Sequence, residues 1–517
     1  MARFTAKQLD TQAQEQALID ERGGTTWQDL DARVNRLIHA LRQSGLSAGD
    51  TIGVFAGNCR EYYEIMLAAG HAGIVYVPVN WHFTTDELQY VMDDAGCRAL
   101  FIEDQFLSVA ETVLQAGGAD LLRIGIRGSD GASQEYEDFL GAAPDHEPED
   151  QSLGGPMFYT SGTTGRPKGV RSSTFGETVP LEVLEMMGAG LSGMLSIPTP
   201  GRTFICGPVY HSAQWAFSFL PLTAGSQVVM RHKFDAAQSL QVIDDHKITN
   251  VHLVPTQFKR LLDVDDAQKD AFDGSSLQVV WHGAAPCPPK VKGDMIEWWG
   301  PVVNEYYGST EGSIVTTATS QDWQERPGTV GKPSAMVQIR IVGEDGQDVP
   351  TGESGEIYVK NIMGSDFEYH NEPEKTVAVH LEPGVFTFGD IGYFDADGYL
   401  YLSDRKIDMI ISGGVNIYPA EIEGVLAAHP DVVDVAVFGI PNDEFGEEVK
   451  AAVQLAAGIA PDDHTTDTLI AHCREHLAGY KAPKSIDYVE EMPRHETGKL
   501  YKRKLRDVYW EGSGRSI

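Results

Sequence analysis

Residues 159–170 read Tyr-Thr-Ser-Gly-Thr-Thr-Gly-Arg-Pro-Lys-Gly-Val, a run suited to holding phosphate groups. Glycines let backbone N–H groups turn inward, and the hydroxyls of Thr160, Ser161, Thr163 and Thr164 donate hydrogen bonds. Arg166 and Lys168 supply positive charge directly after the loop. A Walker loop needs Gly-x4-Gly-Lys-Ser/Thr, and here Gly165 is followed by Arg166-Pro167-Lys168, so that pattern fails. Further on, Tyr306-Tyr307-Gly308-Ser309-Thr310-Glu311-Gly312 offers aromatics for stacking a base, hydroxyls for a phosphate and a carboxylate for Mg²⁺. One placed glutamate is enough for that ion, which takes one or two carboxylates plus substrate phosphates. Asp390, set between Gly389 and Ile391-Gly392, has the chemistry to accept bonds from both hydroxyls of a ribose. Glu496-Thr497-Gly498-Lys499 places a lysine on a glycine-preceded turn near the C-terminus.

The elements that must position these residues alternate between strand and helix signals. Thr51–Phe55 reads as a strand, residues 61–72 as an amphipathic helix, and residues 74–79 and 98–102 as further strands. The rhythm resumes at residues 203–206, 250–254 and 277–281, which predicts two sheet layers of βαβ units before about residue 330. The phosphate loop is expected at the end of a strand formed by Met157-Phe158-Tyr159. From residue 337 the pattern changes. Val337–Ile341 alternates strictly, residues 355–359 return, and Asp395-Ala396-Asp397-Gly398 turns between Tyr393-Phe394 and Tyr399-Leu400-Tyr401, which predicts antiparallel hairpins in a small β-barrel-like unit. After about residue 406, strands at 434–438 and 449–455 and a helix at 466–477 predict a small, separate α+β domain.

The composition excludes several classes of partner. A formal charge of −35 over 517 residues argues against nucleic acid or an anionic membrane as ligand. Cations concentrate from Lys481 to Arg506, where Lys499 is singled out and the rest read as solvated helix-face charges. The five cysteines show no metal spacing and read as reduced core residues. No apolar run is long enough to span a bilayer, and neither terminus carries a secretory or peroxisomal signal, so a cytoplasmic enzyme is expected.

In order and spacing, these segments resemble the acyl-adenylate-forming enzymes: acyl-CoA synthetases, luciferases and peptide-synthetase adenylation domains. The resemblance runs from Thr26-Trp27-Gln28-Asp29-Leu30 to Lys499. It implies that Thr160, Ser161, Gly162, Thr163, Thr164, Gly165 and Lys168 cradle the β- and γ-phosphates of ATP. It implies that Tyr307 and Gly308 pack on adenine beside Gly283, Ala284, Ala285 and Pro286, and that Asp390 and Arg405 bind the ribose. Thr310 would bond the α-phosphate, Glu311 would hold Mg²⁺, and Lys499 would reach both the α-phosphate and the acyl carboxylate. Gly413 and Gly414 would line a tunnel for the pantetheine of CoA. His211, Trp215 and His282 would border the acyl pocket, with Phe217 and Phe219 as further walls. The implied domains are residues 1–404, a hinge at 405–408 and residues 409–517. The hinge departs from the family pattern: Ile407, next to Lys406, stands where members carry Asp or Lys.

The reaction so implied joins a carboxylic acid to AMP with release of pyrophosphate, then transfers the acyl group to CoA. No residue set reads an α-amino group, which favours an apolar medium- or long-chain fatty acid or a bulky alicyclic or aromatic acid. Transfer to a carrier-protein pantetheine, luciferase-like oxygenation of the adenylate, and a non-catalytic sensor remain the alternatives. A homodimer is compatible with all of them.

Overall fold

The computed structural model describes residues 3–116, 120–128, 131, 133–160, 167–176, 179–405, 408–412, 415–442, 445–494 and 500–511. A first sheet has the strand order Val75–Pro78, Thr51–Phe55, Cys97–Glu103, Leu122–Ile126, Gln134–Glu135, all parallel. Its strands Thr51–Phe55 and Cys97–Glu103 are largely apolar and buried on both faces over most of their length, as crossover helices on a parallel sheet require. One of those helices, Thr85–Ala95, starts at a capping box between Thr84 and Glu87 and stops at Gly96, whose φ of 62° favours glycine.

The second sheet is larger. Its parallel core runs Gln227–Met230, Arg202–Ile205, Asn250–Leu253, Val279–His282, Val303–Ser309. The hairpin Gln16–Asp20 and Gly23–Thr26 closes one edge. Beyond Val303–Ser309 the pairing turns antiparallel through Ser313–Ala318 and Thr329–Pro333. Leu400–Arg405, Val385–Phe394, Gly355–Asn361 and Val337–Val342 then continue the same 14-stranded sheet. The hairpins read from the sequence are therefore an antiparallel wing of the second layer, joined to it at Thr329–Pro333. A small third sheet pairs Phe158–Thr160 with Lys168–Ser172, and the latter with Phe367–Tyr369.

A separate five-stranded sheet begins at Ile410–Ser412, with Val432–Asn442 and Gly446–Leu455 as its long hairpin. Its own apolar cluster, which includes Ile410, Ile422, Leu426, Val437 and Leu469, seats the helices Pro419–Ala427 and Asp463–His476. Among the described residues, several of the cations between Lys481 and Arg506 are paired locally. Lys481 pairs with Glu421 at 2.6 Å, Arg494 with Asp434 at 2.6 Å and Lys502 with Glu423 at 2.9 Å. Among the described residues, no helix is long and apolar enough to cross a membrane.

The first two sheets share one core, and the helix Arg60–Ala72 runs through it. His71 is fully buried there, against Phe4 and 2.8 Å from the side-chain oxygen of Gln151. Burial pulls its imidazole down to about 4. The unfolded chain therefore binds a proton that the native state refuses, and stability is lost as pH falls through 6.5 toward 4. Between pH 7.5 and pH 5 this one group is expected to remove ~2 kcal/mol. Urea titrations of wild type and His71→Leu should show a stability difference that moves toward the variant by that amount on acidification; a pH-independent difference would refute it.

Candidate active site

The residues expected at the phosphates come from the third sheet and from the turn that follows Val303–Ser309 in the second. Lys168, first residue of its strand, holds its Nζ 4.8 Å from the centre of the Tyr369 ring. The Tyr369 hydroxyl donates to Oε1 of Glu311 at 3.0 Å. Partial burial and the nearby Lys375 lower the affinity of Lys168 for its proton, while Glu372 and Glu311 oppose that shift. Two lysines and two glutamates thus surround this corner, and their charges nearly cancel. Glu311 is half-buried, and among the described residues Tyr369 is its one hydrogen-bond partner, which leaves Oε2 for a hard cation. The donor set therefore fits Mg²⁺ shared with substrate phosphates.

Thr310 Oγ1 lies 2.8 Å from the hydroxyl of Ser212. Ser212 opens the helix Ser212–Thr223, whose N-cap is His211. Free N–H groups and the positive end of the helix dipole therefore sit beside Thr310, where an anionic group would be stabilised. The strand entering the phosphate loop is fixed by Tyr159, which donates to Asp94 at 2.6 Å, and His370 and Asn371 hold the backbone carbonyl of Asp94. Thr160 ends this strand; Ser161, Gly162, Thr163, Thr164 and Gly165 lie outside the described residues.

Tyr307 and Asp390, the pair expected at the nucleoside, lie on two strands of the second sheet. Tyr307 donates its hydroxyl to Oδ2 of Asp390 at 2.7 Å, although 83 residues separate them. Both are buried, and the Phe388 ring stands edge-on to Tyr307 at 6.1 Å. Gly283 and Gly308 are required by close approach. A Cβ at Gly283 would stand 2.6 Å from the Tyr306 ring, and one at Gly308 would stand 2.0 Å from the Ser313 carbonyl. Ala284 has φ 66°, a conformation costly for alanine that suggests a functional constraint on this turn. Ala285 is half-buried and Pro286 exposed on the same turn. Arg405 is placed opposite Asp390 by strand register.

The expected acyl-pocket residues are not all brought together. Trp215 is 6% exposed, stacks on Phe219, and donates its Nε1–H to the Tyr76 hydroxyl at 2.8 Å. It shares a core with Trp281 and Tyr306. His211 is the cap residue of the same helix. His282 follows Trp281 on the strand, so its side chain points to the opposite face, where it meets Phe258 and Glu305. The face shared with Trp215 instead holds a polar chain absent from the sequence reading: Gln214 bonds His252 at 2.9 Å, and His252 bonds the Tyr306 hydroxyl at 3.0 Å. Lys406, Ile407, Gly413, Gly414 and Lys499 lie outside the described residues.

Trp215→Phe keeps a ring but strips the Tyr76 hydroxyl of its donor. A loss of about 1–3 kcal/mol in stability is expected. If Trp215 also borders the acid, the ranking of acids should change while the KM for ATP does not. Lower stability with an unaltered ranking would leave Trp215 purely structural.

Residues 5–364 match the AMP-binding enzyme family, and residues 421–499 match its C-terminal domain. The chain belongs to the AMP-binding enzyme family. Among relatives, it is 34% identical over 490 residues to a feruloyl-CoA synthase of an Amycolatopsis species, covering 94% of each chain. It is 30% identical to the fatty acid–[acyl-carrier-protein] ligase ScoC of Streptomyces coeruleorubidus, over 97% of this chain and 95% of that one. Its fold is similar to that of ATP-bound MatB from Rhodopseudomonas palustris, with TM-score 0.85, 28% identity, and 98% and 99% coverage of this chain and that one.

Proposed function

We propose that this protein activates an apolar carboxylic acid as its acyl-adenylate and passes the acyl group to CoA. The class, an AMP-forming acid–CoA ligase, follows from the family and its CoA-ligase relatives. The observation that supports the residue assignments best is the convergence of Lys168, Glu311 and Thr310 at one corner with the Tyr307–Asp390 pair.

In the first step a carboxylate oxygen forms a bond to the α-phosphorus of ATP, and the bond to the β-phosphate oxygen breaks to release pyrophosphate. The exchange replaces an oxide leaving group, which is too basic to depart, with AMP. Thr310, Ser212 and the amino end of the helix Ser212–Thr223 are oriented to bind the oxygen atoms of the α-phosphate and the acid. Lys168 and the loop from Thr160 to Gly165 hold the departing phosphates. Asp390, aligned by the Tyr307 hydroxyl, receives the ribose, with Arg405 beside it in register, and Gly283 to Pro286 flank the adenine. Mg²⁺, when bound at Glu311 and the phosphates, supplies charge neutralisation. Lys499 carries the remaining cation to the α-phosphate. In the second step the CoA sulfur attacks the acyl carbon and AMP leaves.

The second step is assigned to a rearranged C-terminal unit. Lys406 and Ile407 act as its hinge between residues 1–404 and 409–517, and Gly413 and Gly414 line the pantetheine passage. Trp215 and His211 border the acid on one face of the sheet. His282 lies on the other face, and we place it outside that pocket's first wall. We take the enzyme to be cytoplasmic; its five free thiols suit a reducing compartment and support that reading.

Carboxylate-dependent ATP–pyrophosphate exchange tests this reading, with straight-chain, aryl and fused-ring acids scored for AMP release with and without CoA. AMP as product with CoA-dependent turnover supports it. ADP, or flat exchange across the panel, overturns it. The similarity to ScoC favours one second reading, in which a carrier-protein thiol is the acceptor. A higher thioester yield on a loaded carrier protein than on CoA would select it.

A further inference from the structure

We propose that the C-terminal unit carries a surface site for a transition-metal dication of the zinc, cobalt or nickel class, formed by His472, Glu475 and His476. The helix Asp463–His476 buries Leu469 and Cys473 in its apolar cluster, while Glu475 and His476 are exposed and His472 is half-buried beside the helix Pro419–Ala427. Spacings of three and four residues bring side chains onto one face of a helix. Here one ligand atom from each of the three residues falls within 4.8 Å of the other two, the span a single ion can bridge.

The histidines are also oriented as ligands are. Nε2 of His472 lies 3.2 Å from the Val425 carbonyl, and Nδ1 of His476 lies 2.8 Å from the His472 carbonyl. A carbonyl only accepts, so in the neutral rings these nitrogens carry the hydrogen. Nδ1 of His472 and Nε2 of His476 are left with in-plane lone pairs. A backbone carbonyl that fixes the tautomer of a metal-binding imidazole is the usual outer partner of such sites. His429 packs edge-on against His472 at 5.1 Å and limits its rotation from the other side. His429 itself accepts from the Asp431 N–H at 3.3 Å, so it supports the ligand and is not counted as one.

Charge favours occupancy. His476 is the last residue of the helix, where unpaired carbonyls and the negative end of the dipole attract a cation. Glu475 adds a full negative charge. Arg474 is two positions from both histidines and so faces away from them. Two imidazoles and one carboxylate suit borderline dications and discriminate against magnesium, which prefers oxygen alone. Three protein ligands leave the remaining coordination to water. The site is therefore independent of any Mg²⁺ at Glu311, and an ion there would pin the last turn of the helix.

The test uses the full-length, untagged protein, stripped with chelator and titrated with Zn²⁺ by calorimetry in millimolar Mg²⁺. One bound ion is expected, with a rise in Tm. Affinity should fall about 10-fold or more in Glu475→Gln and in the double variant His472→Ala/His476→Ala. Cobalt should give a visible ligand-field spectrum in wild type that both variants lose. The side chains of Glu475 and His476 are exposed, so ATP–pyrophosphate exchange without zinc is expected to survive and report intact folding. Equal zinc affinity in wild type and either variant, or displacement of zinc by millimolar Mg²⁺, overturns the proposal.

Discussion

Lys499→Ala is expected to slow adenylate formation by about 100- to 1,000-fold, the usual cost of removing one preorganised charge donor. The reason lies in the electrostatics of the fixed half of the site. A carboxylate must approach a nucleotide that already carries several negative charges, and repulsion between them sets much of the barrier. Lys168 cannot relieve it alone, because Glu311 and Glu372 stand against its charge and that of Lys375. The amino end of the helix Ser212–Thr223 contributes only a partial charge. A further full cation at the α-phosphate is therefore required, and the proposed mechanism draws it from Lys499. Attack of CoA on a finished adenylate brings no such anion pair together at phosphorus. Thioester formation from supplied acyl-AMP should consequently stay within a few-fold of wild type in the same variant. Parallel single-turnover assays of the two half-reactions make the comparison. An equal loss in both would remove Lys499 from a role confined to the first.

Local pattern carried most of the elements. The strand Thr51–Phe55 falls where the sequence put a short strand, and the helix Arg60–Ala72 and strand Cys97–Glu103 differ from their predicted ends by one residue at most. The helix Asp463–His476 begins three residues earlier than residues 466–477 suggested, because Asp462 caps it. What the pattern could not supply was partnership across long loops. Tyr369 reaches Glu311 only because Phe367–Tyr369 pairs with Lys168–Ser172, and no motif announces a contact between strands so far apart in the chain. Asp94 is likewise an ordinary helix-end acid until Tyr159, His370 and Asn371 converge on it. The hairpins of residues 337–401 were visible as hairpins, but alternation does not say which edge a hairpin joins. Side-chain direction could have been read: His282 must oppose its neighbour Trp281 on any strand, which separates it from Trp215. Segregation of cations near the C-terminus was legible too, whereas their pairing with Glu421, Glu423 and Asp434 required the folded sheet.

That opposite face of the strand carries the largest expected effect on stability. Lys292 has no exposed surface, and its ammonium bonds Glu305, which is itself buried, with the Trp323 ring 5.0 Å away. Burial raises the Glu305 carboxyl above its usual range even though Lys292 works against that shift. His282 lies 3.8 Å from the same carboxylate, and neither ring nitrogen forms a hydrogen bond among the described residues. Burial and the Lys292 charge drive its affinity for a proton far down, so no second cation is available to replace the lysine. Lys292→Met should therefore strand Glu305 in an apolar setting and cost about 3–5 kcal/mol, read as a lower urea midpoint. Lys292→Met/Glu305→Leu removes both desolvation penalties together and should recover most of that loss. Glu305 shares its strand with Tyr306 and Tyr307, on either side of the sheet. If the ion pair also sets the strand's register beneath the nucleotide, the double variant will regain stability without regaining the wild-type KM for ATP. If the pair is only a source of cohesion, stability and KM will return together. A single variant as stable as wild type would mean that the buried charge is not held as an ion pair at all.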